Sequence, residues 1–150
     1  MFGYIKVMCI LCVWYIFFLK SVLRLRELCE KETLISEILS ITEDALIYIE
    51  ASPLSVEKII STSLYNSSEY IKKELNNEPY FVDDDVRIFI KQFIKSFSYP
   101  DVFSVKSNLN LLKTKLSIIY EKVTDKKEEI LKTKIIINGL LSVGITILII

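Results

Sequence analysis

The sequence predicts an all-α fold of two long antiparallel, membrane-rooted helices with three short helices between them. Two features of the pattern carry this prediction. Apolar residues recur at helical spacing in both halves of the chain, and the three prolines fall where that spacing breaks. The long helices are predicted over about 2–49 and 101–149, and the short ones over about 54–63, 67–75 and 84–98.

The last third of the chain has the most regular pattern. Apolar residues recur every seven positions, and the first three of them are followed by another at a spacing of three. These positions are Val102, Leu109, Leu116, Val123, Ile130 and Ile137, with Val105, Leu112 and Ile119. Such a seam is buried when its helix packs against a second helix. No charged residue follows Lys134, so residues 134–150 are predicted to form a transmembrane helix.

The beginning of the chain predicts another transmembrane helix, at 1–22. Phe2 to Leu19 contains a single charge, Lys6, and eighteen residues of α-helix reach about 27 Å, close to the thickness of a hydrocarbon core. Aromatic residues crowd the end of this run beside Lys20, as they do at membrane interfaces. Since no small-residue cleavage site follows, the run is interpreted as an anchor rather than a signal peptide.

After the anchor, the first helix is predicted to continue in water until Pro53 stops it. Its apolar stripe consists of Leu28, Leu34, Ile38, Ile41, Ala45 and Tyr48. This stripe and the C-terminal seam supply complementary apolar faces. Residues 23–133 are therefore predicted to form a helical bundle closed by the three short helices.

The basic residues predict the topology of the chain. They follow the first span and precede the second, so the positive-inside rule places residues 20–134 in the cytoplasm and both termini on the far side of the membrane. The two long helices then run antiparallel. Aligning Val22 with Lys134 at the membrane surface sets a register in which Glu30 lies opposite about Lys126.

The composition favours neither an enzyme nor a cofactor-binding or nucleic-acid-binding protein. Histidine is absent, and 19 basic residues balance 19 acidic ones, so the chain lacks the usual general base and a basic surface for phosphates. Cys9 and Cys12 form a CxxC pair inside the N-terminal apolar run. Their place indicates two small residues of a membrane helix rather than a redox or metal site. No catalytic, cofactor-binding or metal-binding residue is predicted.

One cluster, before and at the start of the third short helix, is a candidate partner-docking site. It consists of Tyr80, Phe81, Asp83, Asp84 and Asp85. The two aromatic residues have an alternative place inside the bundle, because aromatic side chains tend to be buried. The three carboxylates favour a helix N-terminus over a metal site, since the ligand spacing of a calcium-binding loop is missing.

The C-terminal apolar run carries polar residues at a spacing of four. They are Asn138, Ser142 and Thr146. Small and polar faces of membrane helices usually meet another helix, so these residues are candidate positions for transmembrane helix packing. The partner helix is either the N-terminal span or a span of a neighbouring subunit.

Two segments carry a family resemblance. The first, ALIYIEASPLSVEKI at 45–59, has an isoleucine–tyrosine pair at the end of one helix and a Pro-Leu pair at the start of the next. The second, KKEEILKTK at 126–134, leads into the C-terminal apolar run. Together they resemble the stage III sporulation protein AB family of endospore-forming bacteria. Where that family usually has a Leu-Gly pair and an aspartate followed at four residues by glutamine, this chain reads FSYPDVFSV, with Asp101 and then Val105.

The resemblance implies a non-enzymatic platform or assembly subunit of a secretion-like channel complex between mother cell and forespore. It implies a cytoplasmic domain similar to the F-type membrane proteins of type II secretion, in the mother-cell membrane facing the forespore. The implied partners are a secretion-type ATPase, other stage III sporulation membrane proteins and the lipid bilayer, and homo-oligomerisation stays open. Without the resemblance, the residues fit a generic two-span membrane adaptor or sensor equally well.

Overall fold

The structure, a computed structural model, describes residues 2–51, 55–65, 67–75 and 84–141, and these segments contain helices and turns but no strand. The predicted all-α class is confirmed. The helices are α1 (Phe2–Ala51), α2 (Val56–Ser63), α3 (Glu69–Leu75), α4 (Asp84–Ser96) and α5 (Val102–Glu129), and a π-helix at Ile130–Ile135 follows α5. Residues 136–141 are again α-helical.

The start of α2 differs from the predicted one. Its N-cap is Ser55, whose backbone is extended and whose carbonyl accepts hydrogen bonds from the backbone N–H groups of Lys58 and Ile59, both at 3.0 Å. The prediction had placed this start at 54, with Ser52 and Pro53 as its signal. A serine stands at both 52 and 55, so the cap preference alone did not decide between them.

The chain divides into two compact units, Lys31–Lys122 and a second one formed by Met1–Glu30 with Val123–Ile150. In the Lys31–Lys122 unit, α1 to α5 all contribute buried apolar side chains. The α1, α2 and α3 contributions are Ile35, Ile38, Ile41, Ala45, Leu46, Ile59 and Ile71. The α4 and α5 contributions, with the turn after α4, are Val86, Phe89, Ile90, Phe93, Phe97, Val105, Leu109, Leu112 and Leu116.

The middle of the predicted α5 seam is buried, whereas its ends are not. The buried seam residues are Val105, Leu109, Leu112, Leu116 and Val123. Val102, the first residue of α5, is 68% exposed, and Ile119 and Ile130 are half-buried. The seven-residue spacing therefore marked the buried face correctly but extended it too far at both ends.

The buried face of α1 only partly coincides with the predicted apolar stripe. Ile38, Ile41 and Ala45 are buried as predicted, whereas the other three predicted positions are half-buried. Ile35 and Thr42 are completely enclosed and were not predicted. A threonine is tolerated there because its hydroxyl donates a hydrogen bond to the Ile38 carbonyl, at 2.7 Å, and so needs no partner from another helix.

Two ion pairs fix the register of α1 and α5 in the Lys31–Lys122 unit. The Lys113 Nζ lies 3.0 Å from a Glu43 carboxylate oxygen, and the Lys106 Nζ lies 2.5 Å from one of Glu50. Seven residues forward along α1 correspond to seven residues back along α5, so the helices run antiparallel. This is the register predicted from the membrane boundaries.

Glu30, which that register places opposite about Lys126, forms an ion pair within its own helix. The Glu30 carboxylate accepts a hydrogen bond from the Arg26 guanidinium at 2.8 Å, one turn earlier on the same helix. Arg26 and Glu30 stand four residues apart on one helix face, a spacing at which opposite charges can pair.

Polar contacts also connect α1 to the short helices. The Glu37 carboxylate accepts a hydrogen bond from the backbone N–H of Ser68, the residue that precedes α3. The Lys31 Nζ donates to an Asp85 carboxylate oxygen in the first turn of α4, at 2.6 Å. Helices α3 and α4 are themselves in contact. Helices α3 and α4 are thereby each held to α1 near their N-terminal ends.

The C-terminal helix is not the single uninterrupted α-helix that the periodicity predicts. Ile130–Ile135 forms a π-helix, in which hydrogen bonds reach one residue further than in an α-helix. One extra residue rotates the following side chains by about 100° about the helix axis. Ile137 continues the seven-residue spacing in sequence and is exposed.

The unit formed by Met1–Glu30 and Val123–Ile150 exposes most of its large apolar side chains that the structure describes. They include Tyr15, Ile16, Phe17, Phe18, Leu19, Val22, Leu23, Leu131, Ile136, Ile137, Leu140 and Leu141. The rings of Trp14 and Phe18 stack with centroids 5.7 Å apart. Within the described residues, no helix is both long and apolar enough to cross a bilayer.

Candidate docking surfaces

The predicted docking cluster is described only at its C-terminal end. Tyr80, Phe81 and Asp83 lie outside the described residues. Asp84 and Asp85 occupy the first turn of α4, as their preference for helix N-termini predicts. The docking role of the cluster stays a prediction.

The two described carboxylates of the cluster have different surroundings. Asp85 is engaged by Lys31 of α1 in a short ion pair, so it helps to hold α4 in place. Asp84 is 94% exposed, and its nearest cation is the Arg87 guanidinium at 4.0 Å. Asp84 is therefore the more exposed carboxylate of this pair.

The start of α5 is where the sequence departs from the family pattern. The Asp101 carboxylate accepts a hydrogen bond from the backbone N–H of Ser104 at 2.6 Å, as an N-cap side chain does. That backbone hydrogen bond is the main reason why the pKa of Asp101 is lowered from its ordinary value. Val105, at the family's glutamine position, is buried in the α5 seam. In this chain the position contributes to the core.

A groove that the sequence did not predict lies between α4 and α5. It encloses about 140 Å³. Its lining residues are Gln92, Lys95, Ser96 and Tyr99 on the α4 side and Asn108, Leu111, Leu112 and Lys115 on α5. On each side these residues recur at intervals of three and four, the spacing of one helical face. This spacing is the signal in the sequence, but it joins mostly polar residues, whereas a pattern of apolar positions marks only buried faces.

The predicted transmembrane packing stripe is described at one position. Asn138 is half-buried, and Ser142 and Thr146 lie outside the described residues. Beside it, a methyl group added at Gly139 would meet no atom within 4 Å. In this structure Gly139 therefore does not mark a close approach of another described segment.

Two kinds of reactive site can be considered in the described part of the chain. The Cys12 and Cys29 side chains are exposed. No group of three or more cysteine, aspartate and glutamate side chains is placed there to hold a metal ion.

Comparison with known proteins gives no relative. No protein-family model matches the chain, and neither a curated protein nor a solved structure matches it. The resemblance to the sporulation family consequently depends on the motifs at 45–59 and 126–134, and its functional content is a proposal.

Proposed function

We propose that this chain is a non-enzymatic platform subunit of a membrane-bound assembly, rooted in the bilayer by 1–22 and 134–150. Residues 23–133 then form a cytoplasmic helical bundle that contacts the other subunits. By resemblance, the assembly is the secretion-like complex of the mother-cell membrane facing the forespore. Its other subunits would be a secretion-type ATPase and further stage III sporulation membrane proteins.

The exposed apolar surface of the Met1–Glu30 and Val123–Ile150 unit is the observation that carries this proposal. Phe17, Phe18 and Leu19 are consecutive in the chain, and all three are exposed. Consecutive residues point in different directions around a helix, so this segment is apolar on more than one side. A bilayer covers a helix on all sides, whereas a single partner helix covers one face.

The antiparallel register of α1 and α5 supports a two-span topology. Because the Glu43–Lys113 and Glu50–Lys106 pairs make α1 and α5 antiparallel within the Lys31–Lys122 unit, Lys31 of α1 and Lys122 of α5 lie toward the same end of that unit. Two anchors that begin at the same end of a domain can enter the same membrane surface. An even number of spans places both termini on the same side, as the charge distribution predicts.

Membrane fractionation of the full-length chain tests the anchoring. We expect the wild-type chain to stay in the membrane pellet after alkaline carbonate extraction. Leu11→Arg combined with Leu140→Arg should release it, because one arginine then lies near the centre of each anchor and costs about 2.5–3.5 kcal/mol there. Tyr65→Arg with Val102→Arg, at two exposed apolar positions of the Lys31–Lys122 unit, is the matched control and should stay in the pellet. Extraction of the wild-type chain by carbonate would contradict the proposal.

A deletion strain tests the sporulation part separately. We expect the mutant to form fewer spores and to recover with the full-length gene. Normal spore counts would exclude the sporulation role while leaving the anchoring result intact. In that case the generic two-span adaptor or sensor becomes the better description.

A further inference from the structure

The groove between α4 and α5 combines apolar and basic groups on one surface. Leu111, which lines it, is 55% exposed, and Tyr99 at one end is also exposed. One helical turn beyond the lining residues, Ile88 extends the α4 side and Ile118 extends the α5 side, and both are exposed. From Asn108 to Ile118 the α5 side is about 15 Å long, or nearly three helical turns.

The lysines of the groove differ from other lysines of the same unit. Lys95 and Lys115 line the groove, Lys91 stands one turn before Lys95, and all three are exposed. None of them forms an ion pair with a residue that the structure describes. By contrast, Lys106 and Lys113 on the α1 side of α5 are paired with glutamates.

The nearby carboxylates do not neutralise these lysines. Asp85 at the start of α4 is bonded to Lys31, and Asp101 accepts the backbone N–H that caps α5. Asp84 stands one turn before Ile88, is exposed, and lies 4.0 Å from the Arg87 guanidinium. Glu121 stands one turn beyond Ile118 and marks the end of the basic stretch. The chain as a whole is electrically neutral, so this groove is a local concentration of positive charge between apolar residues.

We propose that the groove binds an acidic amphipathic helix of a partner protein. The apolar face of that helix would cover Ile88, Leu111 and Ile118, and its carboxylates would pair with Lys95 and Lys115. Nucleic acid is a poorer fit, because its backbone offers no apolar face and its binding usually requires a net basic surface. This inference rests on the proposed role as an assembly subunit and adds the chemistry of one partner.

Fluorescence anisotropy with purified full-length chain in detergent micelles tests the groove. The probe is a labelled amphipathic helical peptide made of Leu, Ala and Glu, with blocked ends. One control peptide replaces every Glu by Lys, and another keeps the composition but scrambles the apolar face. We expect saturable binding of the acidic amphipathic peptide that weakens with salt, and much weaker binding of both controls.

Two matched charge-reversal variants locate the binding. Lys95→Glu with Lys115→Glu should weaken binding by about tenfold or more, because two attractive contacts become repulsive. Lys58→Glu with Lys126→Glu makes the same change in net charge at two exposed lysines outside the groove and should bind as the wild type does. Leu111→Ser should weaken binding without loss of helical circular dichroism, because Leu111 is exposed.

Three results would overturn the proposal. They are equal binding by the groove and control variants, equal binding of the scrambled peptide, and a duplex oligonucleotide that displaces the peptide from the groove. A dimer in sedimentation that Leu111→Ser dissociates would also overturn it, since a second copy would then occupy the groove. None of these measurements depends on carbonate extraction or spore counts, so failure here is distinguishable from failure of the proposed function.

Discussion

The two compact units of this chain use similar apolar side chains in opposite ways. In the Lys31–Lys122 unit, Leu116 of α5 is 0% exposed, enclosed by protein. In the unit formed by Met1–Glu30 and Val123–Ile150, Leu140 is 68% exposed. Both leucines lie on helices in the same half of the chain. Apolar character alone therefore does not decide burial, and the partner available to each helix face does.

The spacing of charged residues accounts for the difference. Along 31–122, charged and apolar residues alternate at helical period, so each helix has one face to cover, and its neighbours in the chain can cover it. Along 7–19 no charge interrupts the apolar residues, so no single neighbour is sufficient. Along 31–122 the apolar faces are covered by other helices of the chain. The apolar residues of 7–19 require an external apolar medium, which we propose is lipid.

The same leucine-to-alanine substitution in each unit should give the largest difference in the free energy of unfolding. Leu116→Ala removes enclosed methyl groups and should lower the free energy of unfolding by about 2–5 kcal/mol. Leu140→Ala removes exposed ones and should change it by less than about 0.5 kcal/mol. Urea unfolding of the full-length chain in detergent, followed by far-UV circular dichroism, measures both. Equal losses would show that Leu140 is enclosed by protein.

The Lys31–Lys122 unit contains a buried hydroxyl that should lower its stability. The Ser63 side chain is buried, and its hydroxyl has no hydrogen-bond partner among the described residues. Leaving such a group unpaired is costly, so Ser63→Ala should raise the free energy of unfolding by about 1 kcal/mol. The same urea unfolding measurement checks it.

Ser96→Ala is the matched control for that substitution. Ser96 is also buried, but its hydroxyl donates a hydrogen bond to the Gln92 carbonyl at 2.8 Å. Removing a satisfied hydroxyl should give no gain in stability. If both variants gain equally, an unpaired hydroxyl is not the cause.

Sequence reasoning succeeded where a single local rule acts. The seven-residue spacing identified Leu109, Leu112 and Leu116 as buried, and the charge distribution identified the antiparallel register that Glu43 and Lys113 confirm. It did not predict that Thr42 is buried, because the predicted stripe contains no polar residue. The Thr42 hydroxyl bonds to its own helix and can therefore be buried.

The remaining features depend on more than one segment. No residue type signals the π-helix at Ile130–Ile135, whose hydrogen bonds reach one residue further than those of the α-helices around it. The groove exists only because the outer sides of α4 and α5 meet, which neither helix specifies alone. The docking cluster at 80–85 stays a prediction, since Tyr80, Phe81 and Asp83 lie outside the described residues.

A smaller effect tests the antiparallel register itself. Glu43→Lys and Lys113→Glu each place like charges together and should lower stability by under about 1 kcal/mol, because the pair is partly exposed. The double variant restores opposite charges and should recover most of the loss. A thermodynamic double-mutant cycle measures the coupling. A double variant that loses the sum of the two single effects would contradict the pairing of these positions.

The smallest expected effect concerns the pH dependence of the α5 cap. The pKa of Asp101 is lowered in the folded chain, chiefly by the hydrogen bond from the Ser104 backbone N–H. The charged cap therefore stabilises the fold above the ordinary pKa of an aspartate, and this contribution is lost as the pH falls through the lowered value. Asp101→Asn keeps an oxygen acceptor but removes the charge. Its melting temperature should lie slightly below that of the wild type at neutral pH and meet it in acid, whereas a constant difference would exclude the charge as the cause.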